Sequence, residues 1–486
     1  MTRFTDGPNI SPAQIAQAAV QFRAASSAAA MFPITPIEQH YGFLFDDLQD
    51  DPANLLIPDK NTAQNLITLG QSMVDPDPLD ATLDSKVPSA YTYLGQLIDH
   101  DVTRQAFTNP PVPDETSLPL SLAEIRSTPN ARSAGLDLDC IYGPAVEQGT
   151  SFEVPRDPKN NEKLKLERMA GLPPTPELPR ETNAPHPPFI GDRRNDENLM
   201  VSQLHLAFML AHNKLVDQNA TFETARQTLR RHYQWMVVND YLFKIADPAI
   251  VNAVLNGKLE QFDPPDDDVF MPLEFSVAAF RFGHTMIRDR YNYNGLFDRV
   301  LLFQLFLPGV LTEYHHIPLD WKIDWKRFVD GRNMARRFDT TLAQGLSRID
   351  NGGGKPLGLA AIDLLKGFIL RLPTGEAVAR RLGEPELSRD EVLKAVSKEQ
   401  AEALSKDSFT GRTPLWFYIL AEAQLSGGGR LGPVGSRIVA SVIIGLVRKS
   451  KDSYLRIKDW SPTLGTQSRF DVTDLFQFAG LLRNDE

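Results

Sequence analysis

The chain has 486 residues, of which 42% are hydrophobic and 23% charged, a composition typical of a globular protein with a large core. Its net charge of -11, with no basic patch, argues against a nucleic-acid-binding protein, and its single cysteine, Cys140, excludes an intrachain disulfide framework or a thiolate-rich metal cluster. No secretory signal is visible and no apolar run could cross a bilayer. We therefore expect a cytoplasmic protein, or one exported without a recognisable signal peptide.

The spacing of apolar residues predicts a mainly α protein. The length alone suggests two or three domains, although single large enzyme domains exist, and we expect one large domain at 76–486 with an N-terminal arm, 1–75, packed on it. The arm contains a predicted short helix within 11–31. Residues 104–190 are rich in proline and predict a long connection with little regular structure. The other predicted helices are 62–73, 93–103, 199–219, 232–249, 273–288, 359–368, 389–404, 415–425 and 436–449.

The stretch YLGQLIDHDVT at 93–103 carries the most chemistry. On a helix, Gln96, Asp99 and His100 share one face, whereas Asp101 points about 100° away. One helix could therefore contribute to two different sites. A histidine that only completes its hydrogen bonds inside a core remains the alternative for His100.

Oxygen-bearing groups recur at every second residue from Ser133 through Gly135 and Asp137 to Asp139. Alternate residues of an extended segment face one way, so a hydroxyl, a carbonyl and two carboxylates could meet there. Those are ligands that suit Ca²⁺. Considered alone, the segment favours the other interpretation, a solvated loop or edge strand.

Arg194 and Glu197 stand three residues apart at the entrance of the helix predicted at 199–219, and a capping or surface ion pair is the alternative to a site. Within that helix, His205 and His212 are seven residues apart. That spacing is too wide for a typical shared metal site, so we predict structural hydrogen bonds for both.

The predicted helix 273–288 places His284 on a largely apolar face, with Arg281 one turn before it. Gly283 removes side-chain bulk beside His284, where a large flat ligand could approach. A buried, neutral histidine is the alternative for His284.

Three segments together resemble the distal, arginine-bearing and proximal motifs of the animal-type haem peroxidases, and most closely those of bacterial members of the peroxidase–cyclooxygenase superfamily. They are GQLIDHD at 95–101, GDRRNDEN at 191–198 and EFSVAAFRFGHTMI at 274–287. Supporting stretches are LDLDCIYG at 136–143, VSQLHLAFMLAHNKL at 201–215, RLGPVGSRIVA at 430–440 and PTLG at 462–465. The resemblance implies a mainly α fold, one haem-peroxidase domain with few short strands.

The resemblance also implies roles for individual residues around a b-type haem. His284 would be the proximal iron ligand, and His100 the distal acid–base that moves the proton of H₂O₂. Arg194 would place positive charge near the O–O bond. Gln96 would order water or a halide, and Arg281 would pair with a haem propionate.

The same resemblance implies a Ca²⁺ site formed by Asp101, Ser133, the Gly135 carbonyl, Asp137 and Asp139. The ion would hold the helix that carries the distal base, which explains why Asp101 stands beside His100.

Asp99 and Glu197 match the two carboxylates that form ester bonds to haem in this family, and we expect both esters here. Asn198 replaces the methionine of the strongest halide oxidisers, so chloride oxidation is not expected. Asp363 stands where the proximal histidine usually has an asparagine partner, and a carboxylate there would lower the reduction potential. Arg281 occupies the position of the radical-forming tyrosine of cyclooxygenase relatives.

The predicted function is therefore a peroxidase that reduces H₂O₂ through an oxoferryl intermediate and oxidises small organic donors, halides or pseudohalides. A haem-dependent fatty-acid dioxygenase and a haem-binding, non-enzymatic relative are the alternatives. The sequence leaves open the donor, the oligomeric state, and a biological role in defence, oxidative stress or antimicrobial oxidant production.

Overall fold

A computed structural model of the chain describes residues 40–105, 112–133, 135–143, 153–182, 186–266, 268–306, 316–351 and 354–482. The predicted helix within 11–31 lies outside the described residues. Residues from 40 onward contribute to the main hydrophobic core, beginning with the buried side chains of Tyr41, Phe43 and Phe45.

Helices dominate the described residues, as the apolar spacing predicted. The α-helices are α1 (Lys60–Ser72), α2 (Ala90–Val102), α3 (Leu122–Arg126), α4 (Asp139–Tyr142), α5 (Leu199–Asp217), α6 (Phe222–Met236), α7 (Leu242–Ile245), α8 (Pro248–Leu255), α9 (Lys326–Val329), α10 (Leu359–Ile369), α11 (Gly375–Leu382), α12 (Arg389–Lys394), α13 (Lys398–Leu404), α14 (Leu415–Leu425), α15 (Pro433–Lys449) and α16 (Val472–Phe478). The 3₁₀ helices are Asp46–Asp50, Pro52–Asn54, Ala81–Leu83, Arg193–Asp196, Ala279–Met286, Leu302–Leu305, Leu319–Trp321, Gln344–Arg348, Asp407–Phe409 and Tyr454–Arg456. Two π-helical turns lie at Val237–Tyr241 and Glu274–Ala278.

The strands of the described residues are short. They are β1 (Tyr41–Gly42), β2 (Asp84–Pro88), β3 (Arg156–Asp157), β4 (Asn160–Leu164), β5 (Glu167–Arg168), β6 (Pro176–Glu177), β7 (Met271–Pro272), β8 (Arg290–Tyr291), β9 (Val300–Leu301) and β10 (Met334–Arg336). They form two-stranded pairs: β1 is parallel to β7, and the antiparallel pairs are β2 with β10, β3 with β4, β5 with β6 and β8 with β9. The strands therefore connect neighbouring loops in pairs and do not form a larger β-sheet.

The α-helix predicted at 273–288 is wrong in kind. A π turn, Glu274–Ala278, leads directly into a 3₁₀ helix, Ala279–Met286. A π turn is wider and a 3₁₀ helix tighter than an α-helix, so their mean spacing imitates α periodicity. The buried Glu274 carboxylate anchors the segment by accepting hydrogen bonds from the backbone N–H groups of Leu44 (2.8 Å) and Phe45 (3.1 Å).

Two other predicted helices are interrupted. The helix predicted at 232–249 is the end of α6, the π turn Val237–Tyr241 and then α7. The helix predicted at 389–404 is divided into α12 and α13 because Ser397 starts a new helix, exchanging capping hydrogen bonds with Gln400 (3.2 Å each way).

The helices of the described residues are too short or too polar to span a bilayer.

α1 and α10 pack closely, and the contact depends on Gly70. A Cβ at Gly70 would lie 2.4 Å from the backbone N and Cα of Ala361, closer than atoms can approach. This position therefore needs glycine although it lies inside a helix.

We expect Gly70→Ala to lower the free energy of unfolding by about 1–3 kcal/mol, because the added methyl group meets backbone that cannot move aside. Helix propensity alone would give the opposite sign, since alanine is favoured over glycine by about 1 kcal/mol. Urea unfolding measures the difference. Gln71→Ala, on the exposed side of the same helix, is the control. A stabilised Gly70→Ala protein would contradict the close packing.

Candidate active site

A cavity opens between α2 and the 3₁₀ helix Ala279–Met286. The space free of protein atoms measures about 1060 Å³, counting its open mouth. Six predicted site residues that lie far apart in the sequence line it: Gln96, Asp99, His100, Glu197, Arg281 and His284. The structure therefore brings the three motifs together around one space.

His284 is held from behind by a buried carboxylate. Its Nδ1 lies 2.6 Å from Oδ2 of Asp363, and because an ionised carboxylate only accepts, Nδ1 carries the ring proton. The other oxygen of Asp363 accepts a hydrogen bond from Nη1 of Arg281 at 2.6 Å. Burial by itself would raise the pKa of Asp363, but the charges of His284 and Arg281 outweigh burial and lower the pKa to about 2. Because Nδ1 contacts Asp363, Nε2 is the ring nitrogen of His284 that remains for a ligand in the cavity.

The surroundings of His284 agree with the space predicted beside it. A Cβ at Gly283 would meet no atom within 4 Å, so this residue leaves open room in the cavity wall. Arg281 also lines the cavity, with its Nε donating to the carbonyl of Ser276 at 3.1 Å. Its pairing with Asp363 was not foreseen, and its contact with a haem propionate remains a prediction.

His100, on α2, is also held from behind, but by a neutral group. Its Nδ1 lies 2.8 Å from Oδ1 of Asn195, in the 3₁₀ helix Arg193–Asp196. Burial, followed by the positive charge of Arg194, lowers the pKa of His100 to about 4. The imidazole is therefore neutral at pH 7. The sequence did not single out Asn195 because no local pattern links it to a histidine 95 residues away.

Asn198 has two functions in this structure. Its Oδ1 caps α5 by accepting the N–H of Val201 at 3.0 Å, and its Nδ2 donates to Oε1 of Gln96 at 3.3 Å. Asn198 therefore holds Gln96, the predicted distal glutamine, in place. Nearby, Oδ1 of Asp99 accepts a hydrogen bond from Thr103 at 3.2 Å.

The Arg194 guanidinium points away from the position expected for it, since the residue is not part of the cavity lining. Its Nη2 donates to Asp192 at 2.7 Å, to the carbonyl of Thr103 at 2.7 Å and to that of His100 at 3.1 Å. The buried Arg132 also pairs with Asp192 and donates to the His100 carbonyl at 3.0 Å. Burial would raise the pKa of Asp192, but the two arginines hold it well below its ordinary value. We call Asp192, Arg132 and Arg194 the buried ion cluster.

The predicted cation ligands also lie close together, but no strand forms among the described residues of this segment, 133 and 135–139. Leu138 has a left-handed backbone (φ 58°) and Asp139 begins α4. The acidic side chains are therefore brought together by a turn, and not by the alternating faces of the extended segment that was predicted. Asp139 accepts the N–H of Ser133 at 2.7 Å, and Asp137 accepts the Ser133 hydroxyl at 3.2 Å.

Asp101 faces this turn. Its two carboxylate oxygens accept the N–H groups of Leu138 (3.1 Å) and Cys140 (3.2 Å). Burial, then repulsion from Asp139, raises the pKa of Asp101 to about 8. Burial, then repulsion from Asp137, raises the pKa of Asp139 to about 6. The chemistry of these oxygen donors suits Ca²⁺, yet no three acidic, histidine or cysteine side chains in the described part of the chain surround a common metal position.

His205 and His212 each make contacts of hydrogen-bond length inside the core, which confirms the predicted structural role. His212 contacts the Tyr142 hydroxyl at 3.1 Å through Nδ1 and the Glu162 carbonyl at 3.0 Å through Nε2. Nδ1 of His205 lies 2.9 Å from Nδ2 of Asn195. His205 is therefore connected to the cavity through Asn195.

Sequence comparisons show similarity to peroxidase-type proteins. The sequence profile of the family described as "Animal haem peroxidase" matches residues 99–303. A peroxidase-like protein of Margaritifera margaritifera is 25% identical over 279 residues, which are 50% of this chain and 34% of that protein. The chain thus spans about a third of the length of this relative.

Solved structures resemble the whole fold. Peroxidase A from Dictyostelium discoideum superposes with a TM-score of 0.56 at 16% identity, covering 82% of this chain and 84% of that one. The fatty acid alpha-dioxygenase of Arabidopsis thaliana superposes with a TM-score of 0.59 at 13% identity, covering 88% and 74%. The chain has the animal-peroxidase type of fold. The family profile and these structural neighbours support a place in the peroxidase–cyclooxygenase superfamily.

Asp101, Asp137 and Asp139 form what we call the acidic turn, and the buried carboxyl of Asp101 makes the free energy of unfolding depend on pH. Because its pKa is raised in the folded protein, Asp101 is protonated between about pH 4 and pH 8, where the unfolded chain is ionised, and its contribution to stability is lost as pH rises through this window. Buried histidines with lowered pKa values have the opposite slope, so the difference between two proteins is the useful quantity.

We expect the free energy of unfolding of Asp101→Asn, relative to the wild type, to increase by several kcal/mol from pH 4 to pH 8, in chelator-treated protein. Urea unfolding at each pH measures it. Asp390→Asn, at an exposed carboxylate of α12, should give a difference independent of pH. If the difference in free energy of unfolding between Asp101→Asn and the wild type did not change with pH, the raised pKa of Asp101 would be contradicted.

Proposed function

We propose that this protein is a haem peroxidase that reduces H₂O₂ and oxidises small organic donors, bromide or pseudohalides. One observation carries the proposal: two histidines from different walls face one cavity, and each has its Nδ1 occupied from behind. His284 is tied to Asp363 and His100 to Asn195, so both offer Nε2 to the same space.

The residues fit a b-type haem. His284 would bind the iron through Nε2, and the open space at Gly283 would admit the edge of a flat macrocycle. The carboxylates of Asp99 and Glu197 line the same cavity, where they could form the two expected esters. When bound, the haem would supply an iron centre that accepts two oxidising equivalents from the peroxide.

His100 would perform the proton transfers. With its proton on Nδ1, its Nε2 can take the proton of the peroxide hydroxyl and return it to the departing oxygen, which leaves as water. The lowered pKa of about 4 keeps the imidazole ready to accept at neutral pH. Arg194 contributes through its field on His100 and through the backbone of α2, since its guanidinium is turned to Asp192. Gln96, fixed by Asn198, would order a water or halide beside the reacting oxygen.

A fatty-acid dioxygenase is the second candidate, and two observations favour it. The Arabidopsis neighbour is a fatty acid alpha-dioxygenase, and a tyrosine, Tyr241, lines the cavity here. A Cβ at Gly95 would lie 2.5 Å from the Tyr241 hydroxyl oxygen, so the phenol packs directly on α2. Oxygen uptake that depends on a long-chain fatty acid, without peroxide, would identify this activity.

Ca²⁺ at the acidic turn is a further part of the proposal. A bound ion would neutralise the ionised carboxylates of Asp101, Asp137 and Asp139 and stabilise the turn against α2. It should therefore raise the stability of the wild type most at pH 8 and remove the pH-dependent difference from Asp101→Asn.

The first experiment is the absorption spectrum of protein supplied with haem and Ca²⁺, before and after H₂O₂. We expect a Soret band that shifts with peroxide and returns with a phenol or bromide. His284→Ala should lose the band, and His100→Ala should keep it but react with peroxide at least 100-fold more slowly. His40→Ala, a partly exposed histidine outside the cavity lining, is the control.

A folded wild type without a Soret band would contradict haem binding, and a band that ignores peroxide would contradict the peroxidase. Mass spectrometry of the peroxide-treated sample tests the esters, which predict haem that acid cannot extract.

We expect Asp363→Asn to raise the midpoint potential of the ferric/ferrous couple by tens of millivolts. The anionic carboxylate makes the imidazole a stronger donor and so stabilises the oxidised iron, whereas an amide keeps the hydrogen bond without the charge. Spectroelectrochemical titration measures the potential, with Asp390→Asn as the control. An unchanged potential in a variant with a normal Soret band would contradict this role.

A further inference from the structure

Behind the distal histidine, a chain of three side chains runs from the cavity into the core. His100, Asn195 and His205 are connected by contacts of 2.8 Å and 2.9 Å, and Asn195 and His205 have no exposed surface. Of these three residues, the proposed reaction assigns a proton transfer to His100 only, and it gives His205 no role. The other two residues are unexplained by helix packing alone, because a polar chain in a core is costly unless its hydrogen bonds are specific.

The chain can exist in two self-consistent arrangements. In the first, the His205 proton is on Nε2, so Nδ1 of His205 accepts from the Asn195 amide nitrogen, and the amide oxygen accepts Nδ1–H of His100. In the second, the amide is turned over, His205 donates through Nδ1, and His100 accepts at Nδ1 and carries its proton on Nε2. His100 can take a proton from a cavity ligand only in the first arrangement.

The structure holds the first arrangement. Oδ1 of Asn195 faces His100 and Nδ2 faces His205. The disadvantage is that Nε2 of His205 is buried without a partner among the described residues.

Resting on the proposed function, we infer that Asn195 and His205 are positioning residues that hold His100 in the tautomer whose Nε2 accepts a proton from the cavity. Asn195 makes the direct contact. His205 acts through it, by presenting an acceptor that keeps the amide from turning over.

Two readouts test this inference. The first is the tautomer of His100 in ¹⁵N-histidine-labelled protein loaded with diamagnetic zinc protoporphyrin, with the signal assigned by its loss in His100→Ala. We expect the wild type to carry the proton on Nδ1. A wild-type proton on Nε2 would overturn the inference, whatever the variants do.

The second readout is the association rate of cyanide with the ferric haem protein, since hydrogen cyanide must also give its proton to the distal base. Asn195→Leu should slow association about 100-fold and His205→Leu about tenfold, because the second change only frees the amide to turn. His205→Asn, whose amide oxygen can replace the lost acceptor, should restore the rate to within about threefold. His212→Leu, equally buried on the same helix, should leave it unchanged.

A wild-type rate in folded His205→Leu would overturn the role of His205. If His100→Ala itself leaves both cyanide and peroxide rates unchanged, the proposed function fails and the inference fails with it. If His100→Ala is slow but Asn195→Leu is not, the peroxidase stands and the inference alone is wrong.

Discussion

The distal side of the cavity depends on the buried ion cluster. Asp192 receives both guanidinium groups, and the same two arginines donate to the carbonyl of His100 at the end of α2. The cluster thus joins the loop after 131, the distal helix and the 3₁₀ helix that carries Asn195. Removing Asp192 would leave both guanidinium groups without their shared carboxylate, which is far more costly than an ion pair is stabilising. The backbone of the distal base is therefore held in place before any ligand enters.

The two cavity histidines are supported by different chemistry, and the difference suits their proposed tasks. Asp363 is ionised, so it strengthens His284 as a permanent donor to iron. Asn195 is neutral, so it fixes the orientation of His100 while favouring the protonated imidazole less than a carboxylate would. An acid–base must release its proton as well as take it up. Exchanging the two partners would give a weaker ligand on one side and a base reluctant to release its proton on the other.

Two residues of the cavity wall, Arg281 and Asn198, each have two functions. Arg281 lines the cavity but neutralises part of the Asp363 charge, so it moderates the same carboxylate that strengthens His284. Asn198 occupies the place of a methionine, yet it caps α5 and fixes Gln96. These residues connect the reactivity of the site to the stability of the helices that form it.

The sequence by itself determined the helical class, because apolar spacing records which face of a helix is buried. The resemblance of three segments to haem-peroxidase motifs predicted six of the residues that line the cavity, which spacing alone would not have brought together. Only the tertiary structure decided the direction of the Arg194 guanidinium, the turn that gathers the acidic residues, and the chain through Asn195 to His205. The reason is physical: those features are hydrogen bonds between segments up to 95 residues apart, and periodicity records which face a side chain occupies, not the partner it finds there.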